Sequence, residues 1–210
     1  MMIRMRTTKL LLAVGTAALL CATTESPAAA ESIIKNPGDH PDYRFELEPH
    51  VVFGWGHLYA GNGFGLGVRG SVSIVDNGFV KSINNNVAIS FGFDWLRYSG
   101  CYYRDYRGPN GRFSDYGCGA SYFLFPVAMQ WNFWLTTRWS VFGEPGLYFY
   151  TSSYDDFCDP NVFGNNCRGP SHSGVDFAFY AGGRFHFNEK IALTMRIGYP
   201  TLSIGASFLF

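Results

Sequence analysis

"GFGLGVRG", Gly63 to Gly70, followed by "SVSIV" over residues 71–75, carries two incompatible readings, and the choice between them decides the fold. Gly65-x-Gly67-x-x-Gly70 has the spacing that cradles a dinucleotide pyrophosphate. That motif needs a buried apolar strand before the glycines and a helix after them, because the pyrophosphate sits on the helix N-terminus. Here the glycines run into strict polar/apolar alternation, which is the period of a strand. Phe64, Leu66, Val68, Val72 and Ile74 share one face, and Gly65, Gly67, Arg69, Ser71 and Ser73 share the other. The glycines therefore belong to the polar face of a two-faced strand, where a narrow barrel interior has room for few large side chains.

The same parity extends in both directions along the chain. Upstream, Tyr43, Phe45, Leu47, Val51, Phe53 and Trp55 oppose Arg44, Glu46, Glu48, His50, Gly54 and Gly56. Downstream, Val87 to Trp95 alternate with Ser90, Gly92 and Asp94, and Phe123 to Phe133 alternate with Gln130 and Asn132. Trp139, Val141, Leu147 and Phe149 then oppose Ser140, Glu144, Tyr148 and Tyr150. Val175, Phe177, Phe179, Phe185 and Phe187 oppose Asp176, Tyr180, Arg184 and His186. Ile191, Leu193, Met195 and Ile197 oppose Thr194, Arg196 and Gly198, and the last strand ends at Phe210. This gives eight strands, the even count that a closed antiparallel barrel requires.

The N-terminus reads as an export signal over residues 1–30: Arg4, Arg6 and Lys9 precede an apolar run from Leu10 to Ala22, and Ala28-Ala29-Ala30 supplies small residues for cleavage. Leu20, before Cys21, is larger than the residue a lipoprotein site carries. Residues 31–42 read as a periplasmic lead, and 43–210 as the barrel. Without the signal, Lys+Arg falls to 13 and Asp+Glu to 15, a formal net charge of −2. A nearly neutral exported chain has no footprint for nucleic acid, and no apolar run is long enough for a membrane helix.

A soluble eight-stranded barrel would place its apolar faces inward. In this chain the charges collect on one set of faces: Arg44, Glu46, Glu48, His50, Arg69, Asp94, Glu144, Asp176, Arg184, His186 and Arg196 form a predicted lumen network, with acids and arginines paired. The opposite faces are nearly free of charge and are rich in aromatics, which make up 18% of the chain. That is the pattern of an all-β, eight-stranded antiparallel transmembrane barrel, whose edges must close in lipid. Trp55, Trp95, Trp131, Trp139, Phe208 and Phe210 fall where aromatic girdles meet the two bilayer interfaces. Glu46, Glu48 and His50 at i, i+2 and i+4 suit a salt-bridge ladder better than a metal site. No metal or cofactor is expected.

With its signal, its alternation and its terminal Phe210, the chain resembles the small eight-stranded bacterial outer-membrane β-barrel proteins, the OmpA transmembrane domain, OmpX and OmpW among them. The resemblance implies a bacterial outer-membrane location, contact with outer-membrane lipid and lipopolysaccharide, and recognition of the C-terminal Phe by the barrel assembly machinery. It covers residues 43–210 and lies in architecture, export signal and terminal Phe. The chain departs from a full OmpA-type protein in ending at the barrel.

Two long loops are expected outside the cell, Ser99–Cys118 and roughly Ser152–Ser173. Each holds two cysteines, Cys101 and Cys118 in one, Cys158 and Cys167 in the other. An oxidising compartment favours disulfides, and three pairings are open. Tyr102, Tyr103, Arg104, Tyr106 and Arg107 in the first loop are residue types enriched at binding hot spots. A host or envelope protein, a glycan or lipopolysaccharide phosphates would suit them. An acyl hydrolase would need Ser, His and a carboxylate together, and nothing in the spacing selects Ser99 or Ser121 with His57. The expected function is therefore non-enzymatic: a barrel with a lumen plugged by charged pairs, anchoring loops for surface interaction or envelope integrity. The alternatives are a narrow or lateral-opening channel and, third, a lipid A-modifying enzyme.

Overall fold

The computed structural model describes residues 31–55, 58, 61–108, 111–154 and 171–210, with 101–118 described by backbone alone. Eight strands follow one another: β1 (Phe45–Gly54), β2 (Gly63–Val75), β3 (Asn85–Gly108), β4 (Gly111–Trp134), β5 (Trp139–Tyr154), β6 (Ser171–His186), β7 (Ile191–Tyr199) and β8 (Thr201–Leu209). Each pairs antiparallel with the next, and β1 pairs with β8, so the sheet closes. One end of the barrel carries the start of β1 and Phe210, and the other carries the β3–β4 hairpin.

The faces sort as the alternation requires. Phe64, Leu66, Phe149, Phe177, Phe179 and Met195 point outward and are exposed, Phe177 to 76%. Apart from Arg97 near the hairpin end, no Lys, Arg, Asp or Glu holds an outward strand position among the residues whose side chains are described. A closed sheet with an apolar outside and a charged inside is the solution for a barrel that spans lipid. Gly65 and Gly67 sit on the inner face of β2 for steric reasons: a Cβ at Gly65 would strike the Trp95 carbonyl oxygen, and one at Gly67 would strike the Asp94 carboxylate and the His50 ring.

Two sequence expectations are corrected at the strand ends. The predicted loop Ser99–Cys118 is mostly strand: after a register shift between Tyr98 and Cys101, β3 and β4 continue paired to Gly108 and Gly111. Polarity suggested a loop there, but Tyr-rich residues 101–107 are good strand formers, and the turn signal is confined to Gly108-Pro109-Asn110-Gly111. Tyr43, expected outward, is buried, and Arg44, expected in the lumen, is exposed. The chain enters the barrel only at Phe45, so the strand's parity does not govern the two residues before it.

Two connecting segments, residues 31–42 and 76–84, pack on the end of the barrel that holds Phe210. The lead packs on the terminal end: Ser32 bridges Thr136, the Ile33 amide donates to the Leu135 carbonyl (3.0 Å), and the Asn84 side-chain amide donates to the Asp39 carbonyl (2.7 Å). His40 stacks on Trp134 at 5.5 Å. Ile33, Tyr43, Trp134 and Leu209 form one buried cluster. Asn85 holds the long connection between β2 and β3 through the Val80 and Ile83 carbonyls (2.7 and 2.8 Å) and accepts the Trp131 indole N–H (2.8 Å). Phe79 thereby meets Trp131 edge-on on the outer surface.

Candidate functional site in the charged interior and its tyrosine rim

Interior side chains stack in layers from the terminal end to the hairpin end. Trp134 donates to Asn86 Oδ1 (3.0 Å) and lies 4.9 Å from the His186 ring, whose Nε2 is 3.0 Å from Ser140 Oγ. Burial and the nearby Glu46 push the Tyr43 hydroxyl, just outside β1, up to about 12, so it stays neutral beneath this layer.

Above it, Arg184 grips Glu46 with two bonds, Nε to Oε1 at 3.0 Å and Nη2 to Oε2 at 2.8 Å, and donates to Asn132 Oδ1 at 2.7 Å. Ser71 supplies a further bond to Glu46 (3.0 Å). Arg196 is the hub of the next layer. It holds Glu48 in a fork, Nη1 to Oε1 at 2.8 Å and Nη2 to Oε2 at 2.9 Å, and bonds Glu144 through Nε at 2.9 Å. Such paired bonds are the strong geometry for a guanidinium and a carboxylate. The Phe142 ring separates the layers, with Arg184 at 4.3 Å and Arg196 at 5.0 Å from its centroid.

Gln130 donates to Glu144 Oε1 at 2.7 Å. Arg69 spans Glu144 (3.4 Å) and Asp94 (3.5 Å), and His50 Nε2 meets Asp94 Oδ1 at 2.8 Å. Each of the four carboxylates is thus engaged by a guanidinium or an imidazole, and all are essentially hidden from solvent. Glu46 turns to Arg184 and Glu48 to Arg196, while His50 bonds Asp94 through Nε2 and lies 3.6 Å from Glu48 through Nδ1. Among the described residues no group of three His, Cys, Asp or Glu could hold a metal.

Asp176 departs from its predicted place in this network. It is exposed at the hairpin end, where Tyr148 and Tyr199 donate their hydroxyls to Oδ2 at 3.4 and 3.3 Å. It has the parity of the lumen but lies too near the strand end to reach an arginine. Between it and Arg69 sits an apolar layer that includes Val52, Leu96, Leu124 and Tyr180.

Around Asp176 opens a cavity of about 340 Å³, walled also by Leu58, Tyr122, Tyr150, Tyr154 and His172. Tyr122 donates to the Leu58 carbonyl and lies 2.9 Å from the Tyr154 hydroxyl. Sequence reading placed Tyr148 and Tyr150 inward but did not group them with Tyr122, Tyr154 and Tyr199. These residues come from β4, β5 and β7, and only the barrel's stagger brings them level.

For the remaining predicted residues, the backbone sets Cys101 directly opposite Cys118. Tyr102, Tyr103, Arg104, Tyr106 and Arg107 lie on the same hairpin. Cys158, Cys167 and His57 fall outside the described residues. Ser121 accepts a bond from Arg97 (3.0 Å). Trp95 and Trp139 face outward and are exposed, as is Phe210; Trp55, Trp131 and Phe208 are half-buried.

No protein-family model matches the sequence, and no curated protein does. Among solved structures, the attachment invasion locus protein Ail of Yersinia pestis, in complex with the heparin analogue sucrose octasulfate, is 14% identical with a TM-score of 0.48; the alignment covers 80% of this chain and 99% of that one. Neisserial surface protein A is also 14% identical, with a TM-score of 0.44 over 80% of this chain and 96% of that one. Such likeness transfers no activity or ligand, and the barrel assignment rests on this chain's own strand pairing.

Proposed function

We propose that this chain is a non-enzymatic barrel of the bacterial outer membrane, closed to solutes, which presents its β3–β4 hairpin for surface interaction. The observation that supports it most is the contrast between the two halves of the molecule. Inside, charge meets charge: the fork from Arg196 to Glu48, its bond to Glu144, and the fork from Arg184 to Glu46 pair the described interior charges with one another, which supports a closed interior. Outside, β3 and β4 run for 24 residues each, against 16 for β5 and β6 and 9 for β7 and β8.

That hairpin carries Tyr102, Tyr103, Arg104, Tyr106 and Arg107, suited to a host or envelope protein or to lipopolysaccharide. Opposed residues of antiparallel strands have Cα atoms about 4.5–5.5 Å apart, inside the disulfide window. A Cys101–Cys118 bridge at the paired positions would brace the hairpin's base, leaving Cys158 and Cys167 for a second. With the termini periplasmic, the hairpin faces outward from the cell, and Phe210 is left for the barrel assembly machinery.

A second reading, a lateral-opening channel, is favoured by one observation. The β1–β8 ladder skips from Leu47 to His50, at Pro49, which has no N–H to give.

The test is single-channel recording of the refolded mature chain in a planar bilayer, alongside binding of cells that carry Tyr103→Ala with Arg104→Ala. A silent bilayer and lost cell binding are expected. Steady conductance in the unaltered protein would overturn the closed interior, and unchanged cell binding would overturn the hairpin's role. If conductance or uptake of a hydrophobic solute is seen, Val51→Cys with Ile204→Cys, paired across the seam, separates a lateral path from an axial one. Lipid A that gains or loses a group on expression would overturn the non-enzymatic assignment.

A further inference from the structure

We infer that the tyrosine-walled cavity at the hairpin end is a binding site for an organic ammonium group, with Asp176 as its counter-ion. This goes beyond the hairpin's proposed role, and its test leaves that hairpin untouched.

The argument starts from a charge imbalance. Glu46, Glu48, Asp94 and Glu144 each face a guanidinium or an imidazole. Asp176 makes no ion pair with a guanidinium or imidazole among the described residues, although His172 lines the same cavity. Its Oδ2 accepts from two phenols, Tyr148 and Tyr199, and its Oδ1 accepts from the Phe177 amide (2.7 Å). These donors fix the carboxylate in position without neutralising it. Asp176 is exposed, so a ligand reaches it without unfolding anything.

The walls complete the chemistry. Tyr150 and Tyr199 lie 5.8 and 6.0 Å from the Tyr148 ring, inclined to it by 40° and 61°, and Tyr154 stands edge-on to His172 at 5.8 Å. The aromatic wall is thus built from rings set at different angles. Aromatic rings around a carboxylate favour a cation that keeps an apolar skirt, the requirement met by primary to quaternary ammonium groups. The cavity, about 340 Å³, lies in the range that holds small ligands.

Other occupants fit worse. An anion would meet the carboxylate. A divalent metal is held by several carboxylates or by a compact set of N and S ligands, and His172 and Asp176 are the only imidazole and carboxylate among the lining residues.

The test uses the refolded mature chain in an uncharged maltoside detergent, titrated calorimetrically with choline and with 3,3-dimethyl-1-butanol, its neutral carbon isostere. Saturable choline binding is expected, with the isostere at least tenfold weaker. Asp176→Asn, an exposed isosteric change, should weaken choline at least tenfold, and Tyr150→Leu should weaken it with the carboxylate intact. Equal binding of choline and isostere, choline binding indifferent to Asp176→Asn, or no choline binding would each overturn the assignment. Binding of a neutral saccharide in place of choline would overturn it in favour of a glycan. Competition by vesicles of phosphatidylethanolamine but not phosphatidylglycerol would identify a lipid head group as the source, and absence of competition would identify a free amine.

Discussion

Replacing Arg196 by Met removes the hub of the interior while keeping most of its length. The guanidinium makes four bonds to carboxylates: two to Glu48 at 2.8 and 2.9 Å, and two to Glu144 at 2.9 and 3.2 Å. After the change, Glu144 keeps Gln130 and the longer contact with Arg69, but Glu48 keeps only His50 at 3.6 Å. Stranding one partner of a buried ion pair costs about 3–5 kcal/mol, because the remaining charge stays desolvated. The expected loss therefore falls in that range and resides chiefly at Glu48. The pair Arg196→Met with Glu48→Gln removes the stranded charge, so it should cost less than the sum of the single changes by at least about 1.5 kcal/mol. Urea unfolding of the protein refolded into lipid vesicles, followed by tryptophan fluorescence, measures both quantities. A single variant within about 0.5 kcal/mol of the parent, or strict additivity in the pair, would refute the claim that these charges are buried and mutually dependent.

Three further outcomes are expected. Gly182→Val should destabilise the barrel by about 1–3 kcal/mol in the same assay, since any Cβ there meets the Phe142 ring on which both arginines lie; Gly183→Ala, with only the Ser140 carbonyl oxygen at 3.8 Å, is the control and should be near neutral. Trp134→Ala should cost about 3–5 kcal/mol, because the ring is fully buried between the lead and His186. Under non-reducing proteolysis between residues 101 and 118, the fragments should stay joined, and Cys118→Ser should release them; release without the substitution would rule out the Cys101–Cys118 bridge.

Much of the barrel was legible in the sequence because strand parity is local. The alternation in Phe64 to Ile74 and in Ile191 to Ile197 assigns faces without knowledge of any partner, and Glu46, Glu48, Asp94, Glu144, Arg184 and Arg196 lie inside as parity requires. What parity leaves open is depth. Asp176 shares a face with Arg184, yet they lie eight positions apart along the strand, and only register places one at the rim and the other toward the opposite end of the barrel. The choice of Arg196, instead of Arg184, for Glu48 depends on the stagger between β1 and β7, which no single strand encodes. The tyrosine cavity was hidden for the same reason. Residues 101–107 misled differently: alternating Tyr, Arg and Asp outside a membrane lack the apolar face that marked the other strands.

The lead at residues 31–42 has a consequence for the order of events. Its Ser32 hydroxyl reaches the Leu135 carbonyl across 103 positions of sequence, and the Asn84 amide donates to its Ile34 carbonyl at 2.7 Å. Contacts between such distant positions close a long loop, and that ordering costs entropy which the contact must offset. The lead can make these contacts only once the β4–β5 turn exists to receive it. The lead works as a latch between the start of β1 and the β4–β5 turn, and protection of its amides from hydrogen exchange would time the moment at which that latch shuts.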